Sequence, residues 1–311
     1  CWDRPMDAYL EVVDPKTGQR AEDQNSGYAV RGYRYSRGWA DDQKVYFYAE
    51  FSKPFTSIDI IRDDVQIWQD EYKNMVSYAR ADFNTKADEQ ILMKVALSSV
   101  SMEGAYKNMT DLNGWDFDKT VRTADALWNE ELGRIKIDTQ DETARKIFYT
   151  SLYHTMIAPS RFSDLDDQKL YTTFSLWDTY RAAMPLYSLY QPDRYGDFIQ
   201  SMLQIHDKQG KLPVWHLHGC ETNCMVGNPG IMPVADAIVN GLHEESAYEA
   251  MKVSAMRPDR GQDLRMKYGY IPCDLFNESV AYDLEYAVAD AAVANAAKHL
   301  SELFADPENS F

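Results

Sequence analysis

Long apolar runs are missing from this sequence. Nowhere in its 311 residues is there an approach to the roughly 18 consecutive apolar residues that a membrane-spanning helix requires, so no membrane span is expected. The N-terminal CWDRPMDAYL has no basic region followed by an apolar stretch, and a secretory leader is therefore expected to have been removed or never attached. Basic residues are also scarce: 32 Lys and Arg stand against 49 Asp and Glu, a formal charge of −17. A phosphate backbone needs a basic face, so a nucleic-acid partner is excluded and a neutral or cationic one fits better. Cysteine is limited to Cys1, Cys220, Cys224 and Cys273, too few and too scattered for a disulfide framework, and the redox compartment stays open. No short repeat of the solenoid kind is present.

Apolar and aromatic residues are abundant. Hydrophobic residues make up 45% of the chain, and 21 Tyr and 7 Trp supply flat amphipathic surfaces that suit sugar rings and ordinary cores alike. The length allows one large domain or two. In QKVYFYAEFS (43–52) Val45, Phe47, Ala49 and Phe51 alternate with Tyr46, Tyr48 and Glu50, and QILMKVALSS (90–99) repeats the pattern with Ile91, Met93, Val95 and Leu97. Period two means strands, so residues 1 to about 110 are expected to form antiparallel sheet, as a sandwich. The period then changes. Phe117, Val121, Ala124, Leu127, Trp128, Leu132 and Ile135 follow one helix face, as do Ala144, Ile147, Phe148, Ser151, Leu152 and Thr155 before Pro159. Further helices are expected over about 174–190, 195–209, 231–241, 244–256 and 279–300. The domain reading is sandwich at 1–112, a linker helix at 113–140 and a helical domain over 141–311.

Two segments carry candidate chemistry. TTFSLWDTYRAAMPLYSLYQP places Phe174, Trp177, Arg181, Met184 and Ser188 at helical spacing, with Asp178 and Arg181 on adjacent turns and Pro185 freeing the carbonyl of Arg181. An ordinary surface Asp–Arg pair beside a core Trp is one reading. A sugar subsite is the other, because a pyranose needs an apolar platform for its C–H face and charged groups for its hydroxyls. KLPVWHLHGCETNCMVGNPG (211–230) joins two helices without a period of its own, and it is too long for an ordinary connection and too aromatic for disorder. His216, His218, Cys220 and Cys224 are possible zinc ligands, but one loop would have to wrap the ion alone, and the spacing argues against it. Glu221 is either a sugar ligand or acid, or a loop carboxylate bonding nearby amides. Asp283, Glu285 and Asp290 in the Ala-rich 279–300 helix are most simply a solvated or cavity-facing edge. Asn108 and Asn277 match the N-glycosylation triplet.

These segments, together with SRGWADDQKVYFYAEFSKPF (36–55), KVALSSVSMEGAYKNM (94–109), IFYTSLYHTMIAPSRFSD (147–164) and SVAYDLEYAVAD (279–290), resemble glycoside hydrolase family 92 in collinear order. The resemblance implies an α+β two-domain fold, an N-terminal antiparallel β-sandwich followed by an (α/α)6 barrel that is incomplete in this chain, with sugar bound between them. It implies an exo-acting, inverting α-mannosidase of the α-1,2 type, removing terminal α-mannose from N-glycans or mannans. It also implies Ca2+ on the mannose hydroxyls and a periplasmic, secreted or cell-surface location in a Gram-negative bacterium. By motif match Asp178 is the sugar ligand, with Trp177, Arg181 and Glu221 supporting the pocket. The general acid, the general base and the calcium ligands are expected beyond Phe311. SDLDDQKLYTTF (163–174) is shorter than the matching family region.

Two other classes compete. One is a carbohydrate-binding protein without hydrolysis; the other is a different (α/α)-barrel glycosidase or lyase.

Overall fold

The computed structural model describes residues 4–22, 27–65, 74–112, 114–165, 168–241 and 245–305. The chain divides into two compact units. Unit 1 comprises residues 1–133 with 162–168 and 218–220, and unit 2 comprises 134–161, 169–217 and 221–311. An antiparallel sheet region followed by a helical one is the α+β organisation expected from the change of period.

Unit 1 is built on strands β1 (Arg4–Val13), β2 (Ala29–Arg37), β3 (Gln43–Phe51), β4 (Ser57–Val65), β5 (Asn74–Asp82) and β6 (Met93–Ser98). Four of them form an antiparallel sheet in the order β1-β2-β3-β6, while β4 and β5 pair separately. The period-two alternation sends one set of side chains to each face. Val12, Val30 and Ala49 meet Phe55 and Ile58 on the side of β4, which makes two sheet layers. On the other face Val13, Ala29, Tyr48 and Ala96 meet Ala105 and Met109, from helix α1 (Met102–Asn108) and the turn after it. Gly32 is required in β2, because a Cβ there would lie 2.0 Å from the carbonyl oxygen of Tyr9. The buried carboxylate of Glu11 accepts from Arg31 Nε at 2.7 Å and from the Tyr9 hydroxyl at 2.7 Å, so its charge is paired and bonded as burial demands.

Helix α2 (Phe117–Leu132) starts at Asp116, whose carboxylate caps Lys119 N. Its apolar face forms at the expected spacing yet stays open: Phe117 is 66% and Leu127 58% exposed. Unit 1 also takes residues from the later half of the sequence. Asp164 accepts the Ser98 hydroxyl at 3.0 Å and the Asn108 amide at 2.8 Å, while Asn108 Oδ1 accepts Leu165 N at 2.9 Å. The side-chain amide of Asn108, a candidate glycosylation site, is thus fully engaged.

Unit 2 begins with α3 (Glu142–Thr155), capped by Asp141 on Thr143 N and Ala144 N. Short strands β7 (Ser160–Arg161), β8 (Tyr171–Thr172) and β9 (Phe174–Ser175) lead to α4 (Leu176–Thr179), α5 (Ala183–Tyr190) and α6 (Pro192–Gln209). The single helix expected over 174–190 is therefore broken. Pro185 has no N–H to give to Arg181, and the chain places it in the first turn of α5, where that donor would have no helical partner anyway. Pro192 opens α6 and Gly210, at φ +76°, closes it, the asymmetry that these residues favour. Two strands, β10 (Trp215–Leu217) and β11 (Cys220–Glu221), lie inside the long connection, which was expected to have none. Helices α7 (Ile231–Val239), α8 (Glu245–Met256), α9 (Gln262–Tyr268) and α10 (Ser279–Ala305) complete the unit. Helix α10 packs on α7 and α8, and the core runs from Phe174 and Met184 through Phe198, Met202, Val234 and Met251 to Ala289. Among the described residues no helix is long and apolar enough to cross a membrane.

Candidate sugar-binding site

The segment 174–182 is irregular because it must turn from a strand into a helix and break again before Pro185. Strand β9 pairs with β10, setting Ser175 opposite Trp215 and Phe174 opposite His216. Phe174 and Leu176 go into the core, which brings Trp177 to a half-buried position and Asp178 to the surface. Ser175 does not cap a backbone amide. Its hydroxyl instead donates to Asp178 Oδ2 at 2.5 Å, while the Thr179 hydroxyl returns to the Ser175 carbonyl at 2.9 Å.

Arg181 takes a different partner from the one its spacing suggests. Its Nη2 donates to Glu285 Oε1 at 2.7 Å, and its Nε donates to the Trp177 carbonyl at 3.2 Å. The guanidinium lies 4.7 Å from the Trp177 ring centre and 4.6 Å from that of Tyr180, a cation–π arrangement. The hydrogen bond to Glu285 raises the guanidinium pKa above its ordinary value against the pull of desolvation. Burial, then the charge of Glu285, raise the Tyr180 phenol, whose hydroxyl donates to Glu285 Oε2 at 3.1 Å. Glu285 is thus no solvated edge. Its neighbours on α10, Asp283 and Asp290, both pair with Arg265, at 3.0 and 2.7 Å.

In the loop 211–230, Glu221 is the organiser. Its Oε2 accepts Val214 N at 2.7 Å, and its Oε1 accepts Trp215 N at 3.0 Å and Asn223 N at 2.8 Å. The carboxylate therefore pins β10 from behind, while β10 pins β9 and, through Ser175, the Asp178 carboxylate. Below the loop sits a bracket of cations. Lys211 bonds Asn223 Oδ1 and lies 3.7 Å from Asp259; Arg257 donates to Gln209 O at 2.7 Å; Arg260 donates to Met225 O and to Asn223 Oδ1. Burial first, then the nearby Arg260, lower the Lys211 pKa.

His216 is buried, and its Nδ1 lies 3.0 Å from the Thr172 hydroxyl. Cys220, Cys224 and Cys273 are free thiols; Cys1 lies outside the described residues. Among the described residues no three His, Cys, Asp or Glu side chains come together as metal ligands. The strands, Trp177, Asp178, Arg181 and Glu221 thus belong to one continuous hydrogen-bonded assembly in unit 2. Sequence reasoning missed Tyr180 and assigned Glu285 no role, because a contact across 104 residues leaves no local signal.

Comparison with known proteins matches the chain to a described family. Residues 104–309 match the model of the glycosyl hydrolase family 92 catalytic domain, and residues 10–98 match that of the family 92 N-terminal domain. The chain is similar to a family GH92 α-mannosidase of Bacteroides thetaiotaomicron, at 35% identity and a TM-score of 0.83, covering 95% of this chain and 42% of that one. The same enzyme solved in complex with mannoimidazole matches at 34% identity and a TM-score of 0.82, covering 95% and 41%. A family GH92 inverting mannosidase from that organism shares the fold at 24% identity and a TM-score of 0.77, over 98% of this chain and 46% of that one. A curated relative from Arthroderma benhamiae, described as an uncharacterized secreted glycosidase, is 25% identical over 73% of this chain and 30% of its own length. The chain thus spans less than half the length of these relatives.

Proposed function

The chain belongs to glycosyl hydrolase family 92, and from that premise we propose that it supplies the sheet part (1–112), a linker (113–140) and the first part of the catalytic barrel (141–311) of an exo-acting α-mannosidase. The observation that carries this reading is the joining of the Trp177–Asp178 turn to the Glu221 loop through β9 and β10. Asp178, exposed and held by a single hydroxyl, accepts hydrogen bonds from mannose hydroxyls, and an ionised acceptor makes such bonds stronger than neutral ones. Trp177 gives the apolar contact, Arg181 the cationic rim, and Glu221 fixes the wall. A mannose-containing glycan is the partner, in keeping with the mannoimidazole complex of the similar enzyme.

The finer reading is inversion at an α-1,2-linked terminal mannose of N-glycans or mannans. Inversion requires one carboxylic acid to protonate the leaving oxygen and a carboxylate about 6.5–9.5 Å away to activate water on the opposite face. We place both groups, and the oxygen ligands of Ca2+, in the part of the family fold that this chain does not span. Calcium, when bound, would supply a hard cation for sugar hydroxyls. A periplasmic, secreted or cell-surface location in a Gram-negative bacterium is part of the same proposal, and the secreted relative supports placement outside the cytoplasm.

Titration of the chain with methyl α-mannoside and methyl α-glucoside, followed by tryptophan emission, tests the site. Saturable binding that favours the mannoside and is weakened about tenfold in Asp178→Asn is expected. Equal response to both sugars, or an unaffected Asp178→Asn variant, would overturn it.

A further inference from the structure

The contact between Glu285 and the break separating α4 from α5 is more specific than an ordinary surface ion pair. Glu285 is the more buried partner, with its side chain 15% exposed against 45% for Arg181. Its two oxygens take separate donors, Arg181 Nη2 and the Tyr180 hydroxyl, so it grips two successive residues where the backbone is least regular, just before Ala182 at φ −149° and ψ −47°. The loop closes over it as well: Gly227, at φ +75°, would place a Cβ 2.5 Å from that of Glu285. An arginine this exposed loses rotamer entropy when fixed, yet here it is held by a carboxylate, a carbonyl and two rings.

Arg181 has a second anion in its own segment. Asp178 is three residues back, the spacing at which a helical Asp and Arg meet, and its charge acts on Arg181 after those of Glu285 and Tyr180. In the structure Asp178 bonds Ser175 instead.

We propose that Glu285 is a positioning residue for the sugar site: by holding Arg181 against the Trp177 and Tyr180 rings, it keeps the guanidinium away from Asp178 and leaves that carboxylate open to sugar hydroxyls. Removal of the Glu285 charge frees Arg181 to turn to Asp178, the nearest remaining anion in its own segment. A sugar hydroxyl then has to displace an ion pair. The inference rests on the mannoside reading of the site, and it makes a separate statement about Arg181 in the ligand-free chain.

The experiment compares wild type with Glu285→Gln and Glu285→Ala, each also in a Trp177→Phe background so that the emission of Trp177 is obtained by difference. In the ligand-free chain, a changed Trp177 emission and increased acrylamide quenching are expected in both variants, because the guanidinium has left the indole. Titration with methyl α-mannoside is expected to show about tenfold weaker binding, and Arg181→Ala added to Glu285→Ala is expected to recover part of that loss, since the competitor for Asp178 is gone. A purely structural pair predicts no recovery. Unchanged emission in a folded Glu285→Gln chain overturns the positioning role; so does an affinity that falls further in the double variant. If the wild type binds no mannoside, the sugar reading fails, while the emission measurement still decides whether Glu285 holds Arg181. Should Glu285→Ala not fold, Glu285→Gln and Tyr180→Phe carry the same test, with Tyr180→Phe removing only the phenol bond.

Discussion

Glu221 accepts the backbone N–H of Trp215 at 3.0 Å, six residues back along the chain, so a side chain from the middle of the loop completes the hydrogen bonding of the strand before it. Charge-assisted bonds of this kind are about twice as strong as neutral ones, and this carboxylate makes three of them to backbone amides.

Glu221→Ala is therefore expected to lower the stability of the chain by about 3 kcal/mol, and Glu221→Gln by nearly as much, since an amide offers one acceptor oxygen where two are in use. Urea unfolding followed by circular dichroism checks this. A loss below about 0.5 kcal/mol in both variants would assign Glu221 to ligand contact alone.

Asp178→Asn should act in the opposite sense. The carboxylate is exposed and bonded to one hydroxyl, so unfolding stability should stay within about 0.5 kcal/mol of wild type, while mannoside affinity falls about tenfold. Equilibrium titration beside a urea melt separates the two effects.

Alkaline pH provides an independent handle on the core of unit 2. Burial pushes the Tyr187 phenol up to about 12 from its ordinary 10.0, and the hydroxyl donates to the carbonyls of Thr155 and Ala158. A phenol with a raised folded pKa stabilises fully below pH 10, where both states are neutral. Between pH 10 and about 12 the unfolded chain ionises first, and that contribution is lost, by up to about 2.7 kcal/mol. The stability difference between wild type and Tyr187→Phe should be constant up to pH 9 and shrink across that window. A difference that stays constant to pH 11.5 would contradict it.

The 311-residue chain is expected to turn over no aryl α-mannoside, with calcium or with chelator, whereas a chain completed to the length of its relatives should do so with calcium. Release of the aryl alcohol is the readout. Calcium-dependent turnover by the shorter chain would bring Asp178 and Glu221 forward as acid and base.

Periodicity and punctuation account for which parts of this architecture are legible in the sequence. The alternation of Val45, Phe47, Ala49 and Phe51 gave β3, and the apolar spacing around Val234 and Ile238 gave α7, because both patterns run longer than their period. Strands β10 and β11, of three and two residues, are too short to show any. Helix α9 escaped for the same reason, although the left-handed glycines Gly261 and Gly269 that bound it stand in the sequence as punctuation. The open face of α2 shows the limit from the other side, since amphipathic spacing dictates a helix and says nothing of what covers it. At the site, Trp177, Asp178 and Glu221 were legible as chemistry. The pairing of Arg181 was not: the helical rule offered Asp178, and a helix 104 residues onward supplied Glu285.

Unit 1 draws residues 162–168 and 218–220 into a body otherwise finished by Gly133. On a ribosome its sheets can pair early, yet Ser98 and Asn108 have no Asp164 to bond until that residue has emerged, and Gly219 must arrive later still to lie against Phe162. Chains extend at about 5–20 residues per second, so for several seconds Ser98 and Asn108 of the nascent unit lack their Asp164 carboxylate partner. The first-made unit of this protein is therefore completed only after much of the second has been synthesised, since its last segment, 218–220, follows residues 134–161 and 169–217 of the other.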